Sequence, residues 1–198
     1  LLRLIDEYDP HAFAVAWDAP AQTYRAQSFE AYKAHRPPTP DDLQLQIDPV
    51  RRMFDVLGLP LVEAPGYEAD DVVGTLARRA AAEGFDVYIV TGDTDTHQLV
   101  GEHVRVVQNI RGVSDVVVYD IPKVEERYSL RVDQVVDWKA LRGDTSDNIP
   151  GVAGIGDKTA TKLLQEFDTL DGIYDNLDKV QPERIRRLLE EGKENAYL

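Results

Sequence analysis

Apolar positions at Leu1, Leu4 and Ile5 in LLRLIDEY recur at helical spacing with no capping residue ahead of them, so the chain opens inside a helix. The pattern then becomes continuous: AFAVAW (12–17) is a short apolar run that reads as a strand, with Asp18 at its end and the breaker-containing Ala19-Pro20 beyond. DVYIVT (86–91) is a second strand, followed by Gly92-Asp93-Thr94-Asp95. VRVVQNI (104–110) and DVVVYD (115–120) flank Arg111-Gly112-Val113-Ser114, which predicts a hairpin or two neighbouring strands. Helical periodicity fills the gaps, in DDLQLQIDPVRRMFDVLG with Pro49 as a point of kinking, in ADDVVGTLARRAAAEG and in RVDQVVDWKALRG. This alternation predicts an α/β fold with a mainly parallel central sheet flanked by helices, where ligands gather beyond the carboxyl ends of the strands. Past Pro150 the strand signals stop, and GDKTATKLLQEF, TLDGIYDNL and QPERIRRLLEEG read as a second, all-helical part. AHRPPTPDD (34–42) is the one conspicuous polar loop.

Composition narrows the chemistry. At 198 residues and 43% hydrophobic content, the chain is long enough for one sizeable core and a small appended lobe. The absence of cysteine removes disulfides, thiolate metal sites and cysteine nucleophiles together, and the four histidines are scattered without ligand spacing. Any metal site must therefore be built from oxygen. No run approaches the roughly 20 apolar residues of a membrane span, and the first residues lack the basic start of a signal peptide, so a soluble, cytoplasmic protein is expected, read separately as a monomer. A net charge of −14 argues against a generic nucleic-acid binder, unless the acids are gathered at a metal centre and a local basic strip meets phosphates.

The acids are indeed gathered. GYEADDVV puts Glu68, Asp70 and Asp71 into four residues at the start of a predicted helix. One acid there is explained by capping and the helix dipole; three repel one another unless a cation sits among them. Asp18, Asp93 and Asp95 follow strand ends, where an α/β fold places its chemistry. Asp93 and Asp95 share a face if their segment is extended, and Asp144 and Asp147 align if theirs makes one helical turn. Taken singly, each Asp also reads as an ordinary cap or turn residue. As an oxygen-only set, the eight acids favour Mg²⁺ or Mn²⁺.

In order, AWDAPAQTYR, AYKAHRPPTPDDL, GYEADDVVGTLA, VTGDTDTHQLV and ALRGDTSDNIPGVAGIGDKTATKLL resemble the 5'-nuclease domains of bacterial DNA polymerase I, within the flap endonuclease family. The resemblance covers nearly the whole chain. It implies a resolvase-like or PIN-like core over 1–143, an arch segment at about 22–42, and a helical DNA-binding part over 144–198 with a helix-hairpin-helix-like element. It also implies hydrolysis of DNA phosphodiesters near branched, nicked or 5'-flap ends by two divalent ions, in replication and repair. The first ion matches Asp18, Glu68 and Asp70 with Asp71 adjacent, and the second matches Asp93, Asp95, Asp144 and Asp147. Lys33 and Arg36 match residues that contact the scissile phosphate, with Arg25 on the same path; by composition alone these are solvated surface cations. Tyr24, Phe29 and Tyr32 read either as base-stacking or as core residues.

Gly151, Gly154 and Gly156, followed by Lys158, Thr159 and Lys162, read as a loop that lets backbone N–H groups approach a phosphate, or as an ordinary interhelical turn. The resemblance implies the former, with K⁺ at the hairpin. Two departures stand out: the family has an upstream strand ending in a further Asp that this sequence does not contain, and Pro20 stands where relatives carry Lys after the Ala. Three readings follow. They are an active 5' nuclease, a branched-DNA-binding fragment of a polymerase whose cleavage is weakened, and a phosphatase-like hydrolase suggested only by TGDTD.

Overall fold

The computed structural model describes residues 2–111 and 115–198. Leu1, the first apolar position of the opening helix, and Gly112, Val113 and Ser114 of the expected hairpin turn lie outside the described residues. The chain divides into two compact units, Leu1–Phe29 with Arg36–Val73, and Glu30–His35 with Gly74–Leu198. Among the described residues no helix is long and apolar enough to cross a membrane.

In the first unit, α1 (Leu2–Tyr8) leads to β1 (Val15–Ala16), α2 (Tyr24–Ser28), α3 (Asp41–Val56), β2 (Leu61–Val62) and the start of α4 (Ala69–Ala82). The strand expected over 12–17 is only two residues long, because its parallel partner β2 is a two-residue Leu-Val segment between Pro60 and Glu63, too short to show a period. Backbone bonds extend the ladder at both ends, from Val15 N to Pro60 O at 2.8 Å and from Trp17 N to Val62 O at 3.0 Å. This ladder carries Asp18 one residue past its end. Helix α2, not expected from the sequence, is capped by Thr23, whose hydroxyl accepts from the Ala26 N–H at 3.4 Å. Pro49 stands inside α3, which continues on both sides of it. Phe54 of α3 is buried and meets Trp17 edge-on at 6.2 Å between ring centroids.

The second unit contains β3 (Val87–Thr91), β4 (Val104–Arg111) and β5 (Asp115–Tyr119) in that spatial order. The β3–β4 pair is parallel, with Ile89 opposite Val106, and the β4–β5 pair is antiparallel with a register shift at Asn109/Arg111. The parallel pairing expected of the fold is thus carried by two short ladders in separate sheets, with an antiparallel strand on the edge of one. Next come α5 (Ile121–Tyr128), α6 (Val135–Arg142), α7 (Asp157–Phe167), α8 (Leu170–Asp175), α9 (Glu183–Glu191) and α10 (Lys193–Ala196). Helix α5 is missing from the sequence reading although its start signal is present: Asp120 accepts from the Lys123 N–H at 3.0 Å and Pro122 sits in the first turn. Leu141, Leu164, Ile173 and Leu189 are fully buried here, each worth roughly 1.5–3 kcal/mol.

Candidate functional site

In the first unit the acids act as helix-end ligands. Helix α4 begins at Ala69, so Glu68 is its N-cap and Asp71 its third residue; the Asp71 carboxylate reaches back to accept from the Glu68 N–H at 3.0 Å. Asp18, presented by the end of β1, accepts from the Ala69 N–H at 2.7 Å and satisfies another donor of the same helix start. Arg25 then offsets part of this charge. It donates to both Asp71 oxygens at 2.6 and 2.8 Å and lies 3.5 Å from Glu68. The hydrogen bond with Asp71 raises the Arg25 pKa well above its ordinary value, against the opposing effect of burial. Arg25, expected on the DNA path, is therefore held as an ion-pair partner, because the carboxylates of this helix start are its nearest counter-charges. Asp70, in the first turn of α4, is exposed.

In the second unit the spacing argument fails for one pair and holds for the other. Asp93 and Asp95 are not in an extended segment: Asp93 caps the 3₁₀ helix Thr94–Leu99 that leaves β3, accepting from the Asp95 N–H at 2.8 Å. Asp144 and Asp147 do lie one turn apart, with the Asp147 N–H donating to the Asp144 carbonyl at 3.3 Å. The 144–149 segment is a tight loop closed by paired backbone bonds between Asp144 and Ile149, at 2.9 and 2.8 Å, so the two side chains take different partners. Asp144 accepts from the Ser146 N–H at 2.8 Å and hydroxyl at 2.5 Å, and from Lys139 at 2.7 Å. Lys139, in the last turn of α6, donates to Asp95 as well. Burial by itself would raise the Asp144 pKa, but the Lys139 and Ser146 hydrogen bonds outweigh it and bring the carboxyl down to about 2. Lys139 was not singled out in the sequence; a basic residue in the last turn of a helix running into an acidic loop was the available signal.

Asp147 faces a third element. Tyr32 donates to it at 3.1 Å, Lys33 Nζ lies 3.8 Å away, and Asn148 donates to the Ala31 carbonyl at 2.7 Å. The Lys33 N–H also donates to the Asp147 carbonyl at 2.9 Å, so residues 31–33 are clasped to the acidic loop across more than a hundred residues of sequence. Tyr32 is consequently a hydrogen-bond donor, and Tyr24 packs on Tyr67 at 5.6 Å between centroids. Arg36 is exposed.

Beyond this loop the glycines separate by role. A Cβ on Gly151, at φ 57°, would collide with the Gly143 backbone, so this glycine serves close packing. Gly154 has a positive φ of 86° and leaves Leu188 little room. At Gly156, the N-cap of α7, a Cβ would meet nothing, so no steric need explains it. Lys158 and Lys162 project from one stripe of α7 and line a cleft of about 790 Å³ with Asp93, Asp95, Lys139 and Asp144. Thr159 is half-buried.

The donors suit a hard divalent cation. All are oxygen; the buried His97 hydrogen-bonds Tyr128 at 3.0 Å and burial lowers its pKa to about 4. Asp95 and Asp144 already converge on a single positively charged atom, the ammonium of Lys139. Among the described residues, groups of three or more such ligands are not brought together; of the four carboxylates expected from the sequence, Asp95 and Asp144 share Lys139, Asp147 meets Lys33, and Asp93 caps the 3₁₀ helix. A pair suffices for an ion such as Mg²⁺, which binds through one or two carboxylates and keeps its waters.

Residues 1–129 match the 5'-3' exonuclease N-terminal resolvase-like domain and residues 130–198 the 5'-3' exonuclease C-terminal SAM fold. The thermostable DNA polymerase I of Thermus filiformis is 46% identical over the whole chain, and the DNA polymerase I of Deinococcus radiodurans 45% identical over 99% of it. The chain spans only 23% and 20% of those two relatives. Among solved structures, zinc-bound T5 5'-exonuclease aligns over 99% of this chain and 75% of its own with a TM-score of 0.84 at 22% identity. The catalytic core of Rad2 in complex with DNA substrate aligns over 89% of this chain and 57% of its own, with a TM-score of 0.58 at 18% identity. These two establish the fold. With both family models together matching the full length, the chain belongs to the 5'-3' exonuclease family and is a 5'-nuclease domain related to those of bacterial DNA polymerase I.

Proposed function

We propose that this chain is a divalent-metal-dependent, structure-specific 5' nuclease that hydrolyses DNA phosphodiesters at nicked, branched or 5'-flap ends. The observation that carries the reading is the convergence of Asp95 and Asp144, from separate elements, on one cationic point in a cleft that also holds Lys158 and Lys162. Asp93, Asp95, Asp144 and Asp147 would hold one Mg²⁺ or Mn²⁺, and Asp18, Glu68 and Asp70 another, with Asp71 beside them. When bound, such ions lower the pKa of a coordinated water and neutralise charge on phosphoryl oxygens. The protein's own part is to fix the carboxylates and supply cations at the phosphate. Lys33, whose backbone is pinned to Asp147, and Arg36 would offset charge developing on the phosphoryl group. The α6–α7 pair, with Gly151, Gly154, Gly156, Lys158, Thr159 and Lys162 at its turn and following helix, would grip the duplex backbone as a helix-hairpin-helix-like element with K⁺. The chain would act as a monomer, linked in its parent protein to polymerase domains.

Incubating a 5'-labelled flap duplex with the protein and Mg²⁺ or Mn²⁺ is expected to release short 5' products, and EDTA to abolish them. Flap binding without cleavage would instead favour the branched-DNA-binding reading. Neither binding nor cleavage would overturn both.

A further inference from the structure

Many cations of this acidic chain are paired with carboxylates, as Arg25, Lys33, Arg51, Lys139 and Arg142 are. Three that line the cleft are not. Arg127, Lys158 and Lys162 have no carboxylate within ion-pair distance among the described residues, although Asp93 and Asp95 line the same cleft. Lys158 and Lys162 belong to the stripe already assigned to DNA; Arg127 comes from a different helix and carries no role so far.

Its surroundings are specific. Arg127 sits in the last turn of α5, and its Nη1 donates to the Tyr119 hydroxyl at 3.0 Å. The guanidinium lies 5.6 Å from the Tyr128 ring centroid and 5.8 Å from that of Tyr119. Two bonds tie the end of α5 to the α7 stripe: Gln165 donates to the Ser129 carbonyl at 2.8 Å, and Thr161 donates to the Tyr128 carbonyl at 3.5 Å. An exposed arginine is thus held by the Tyr119 hydroxyl, with the Tyr128 hydroxyl as a second partner, beside two exposed lysines. Leaving three cations unpaired in a chain of net charge −14 costs Coulombic attraction that nearby carboxylates could supply. A ligand that brings its own negative charge recovers it. A planar guanidinium has five N–H donors, and those beyond the two tyrosines match the paired oxygens of a phosphodiester.

We propose that Arg127 is a fixed docking post for a DNA backbone phosphate, adjoining the Lys158–Lys162 stripe and holding the strand in the cleft. The inference rests on the nuclease reading above and adds a positioning residue to it.

Binding of the full chain to a fluorescent 5'-flap duplex and to a single-stranded oligonucleotide, in EDTA across 50–200 mM KCl, tests it. Arg127→Gln is expected to weaken binding several-fold and to lower the steepness of log K against log[KCl] by about 0.7–0.9, the loss of one phosphate contact. The larger decrement on duplex or on single strand identifies which is held. Lys179→Ala, outside the cleft and bonded to Asn176, should leave the slope unchanged. Normal DNA binding by Arg127→Gln with an unchanged slope overturns the proposal while leaving the nuclease reading intact. No DNA binding by the unsubstituted chain overturns both. Should Arg127→Gln fail to fold, Arg127→Lys is expected to keep the slope and lose affinity; unaltered affinity would overturn the proposal.

Discussion

The two units carry comparable numbers of candidate ligands and hold them by opposite means. In the first, Asp18, Glu68 and Asp71 are occupied by the amino end of α4 and by Arg25, so the acids complete a helix start. In the second, Asp95 and Asp144 come from elements far apart in sequence and meet on Lys139. The supporting cores differ too: among the described residues, Phe54 and Val72 are the buried apolar residues of the first unit, whereas four fully buried Leu and Ile side chains underlie the second. The difference teaches that carboxylate crowding has two sources. Local crowding can serve capping alone, while crowding assembled across the fold has to be held by packing.

The largest expected effect follows from the second unit. Asp144→Ala should reduce Mg²⁺-dependent flap cleavage by roughly 10²-fold or more, since it removes one arm of the pair that shares the Lys139 ammonium. Single-turnover rates would check this, and near-normal cleavage would break the contrast between the units. Leu141→Ala, in the packing beneath that pair, should cost about 2–5 kcal/mol in urea unfolding. A cost near zero would show that the acids do not depend on this core.

Acidification should act through the same unit. His97 has a folded pKa of about 4 against 6.5 in the unfolded chain, so its contribution to stability is intact above pH 6.5. As pH falls from 6.5 toward 4 the unfolded state binds the proton first, and up to about 3 kcal/mol is lost over that window. Thermal melts of His97→Phe should show a shallower acid decline there.

Lys139→Met should lower stability by about 1–2 kcal/mol in EDTA, because two half-buried carboxylates lose their counter-charge. Mn²⁺ should close that deficit; a deficit that persists with metal would argue that Lys139 only packs. The smallest effects belong to the first unit. Asp71→Ala should cost about 1 kcal/mol through the lost cap, with little change in a metal titration, whereas Asp70→Ala should weaken metal binding more and stability less. The reverse order would dissolve the distinction between cap and ligand within GYEADD.

The alternation of strand and helix, the all-helical second part and the oxygen-only donor set were legible in the sequence, because hydrophobic period and the absence of Cys are properties of the chain itself. Helix α5 was legible too, through Asp120 and Pro122, and was overlooked. β2 was not, since two residues carry no period.

Sequence spacing anticipated the turn between Asp144 and Asp147 but misjudged the backbone at Asp93 and Asp95, because a 3₁₀ cap depends on hydrogen-bond partners that period does not encode. Local order determined most of the helical segments and set several of the acids at element ends. Only the tertiary structure decided which cation answers each acid: Arg25 reaches Asp71 across 46 residues and Lys139 reaches Asp95 across 44. Charge balance is settled by distance in space, and distance in space at such separations is set by how the core packs.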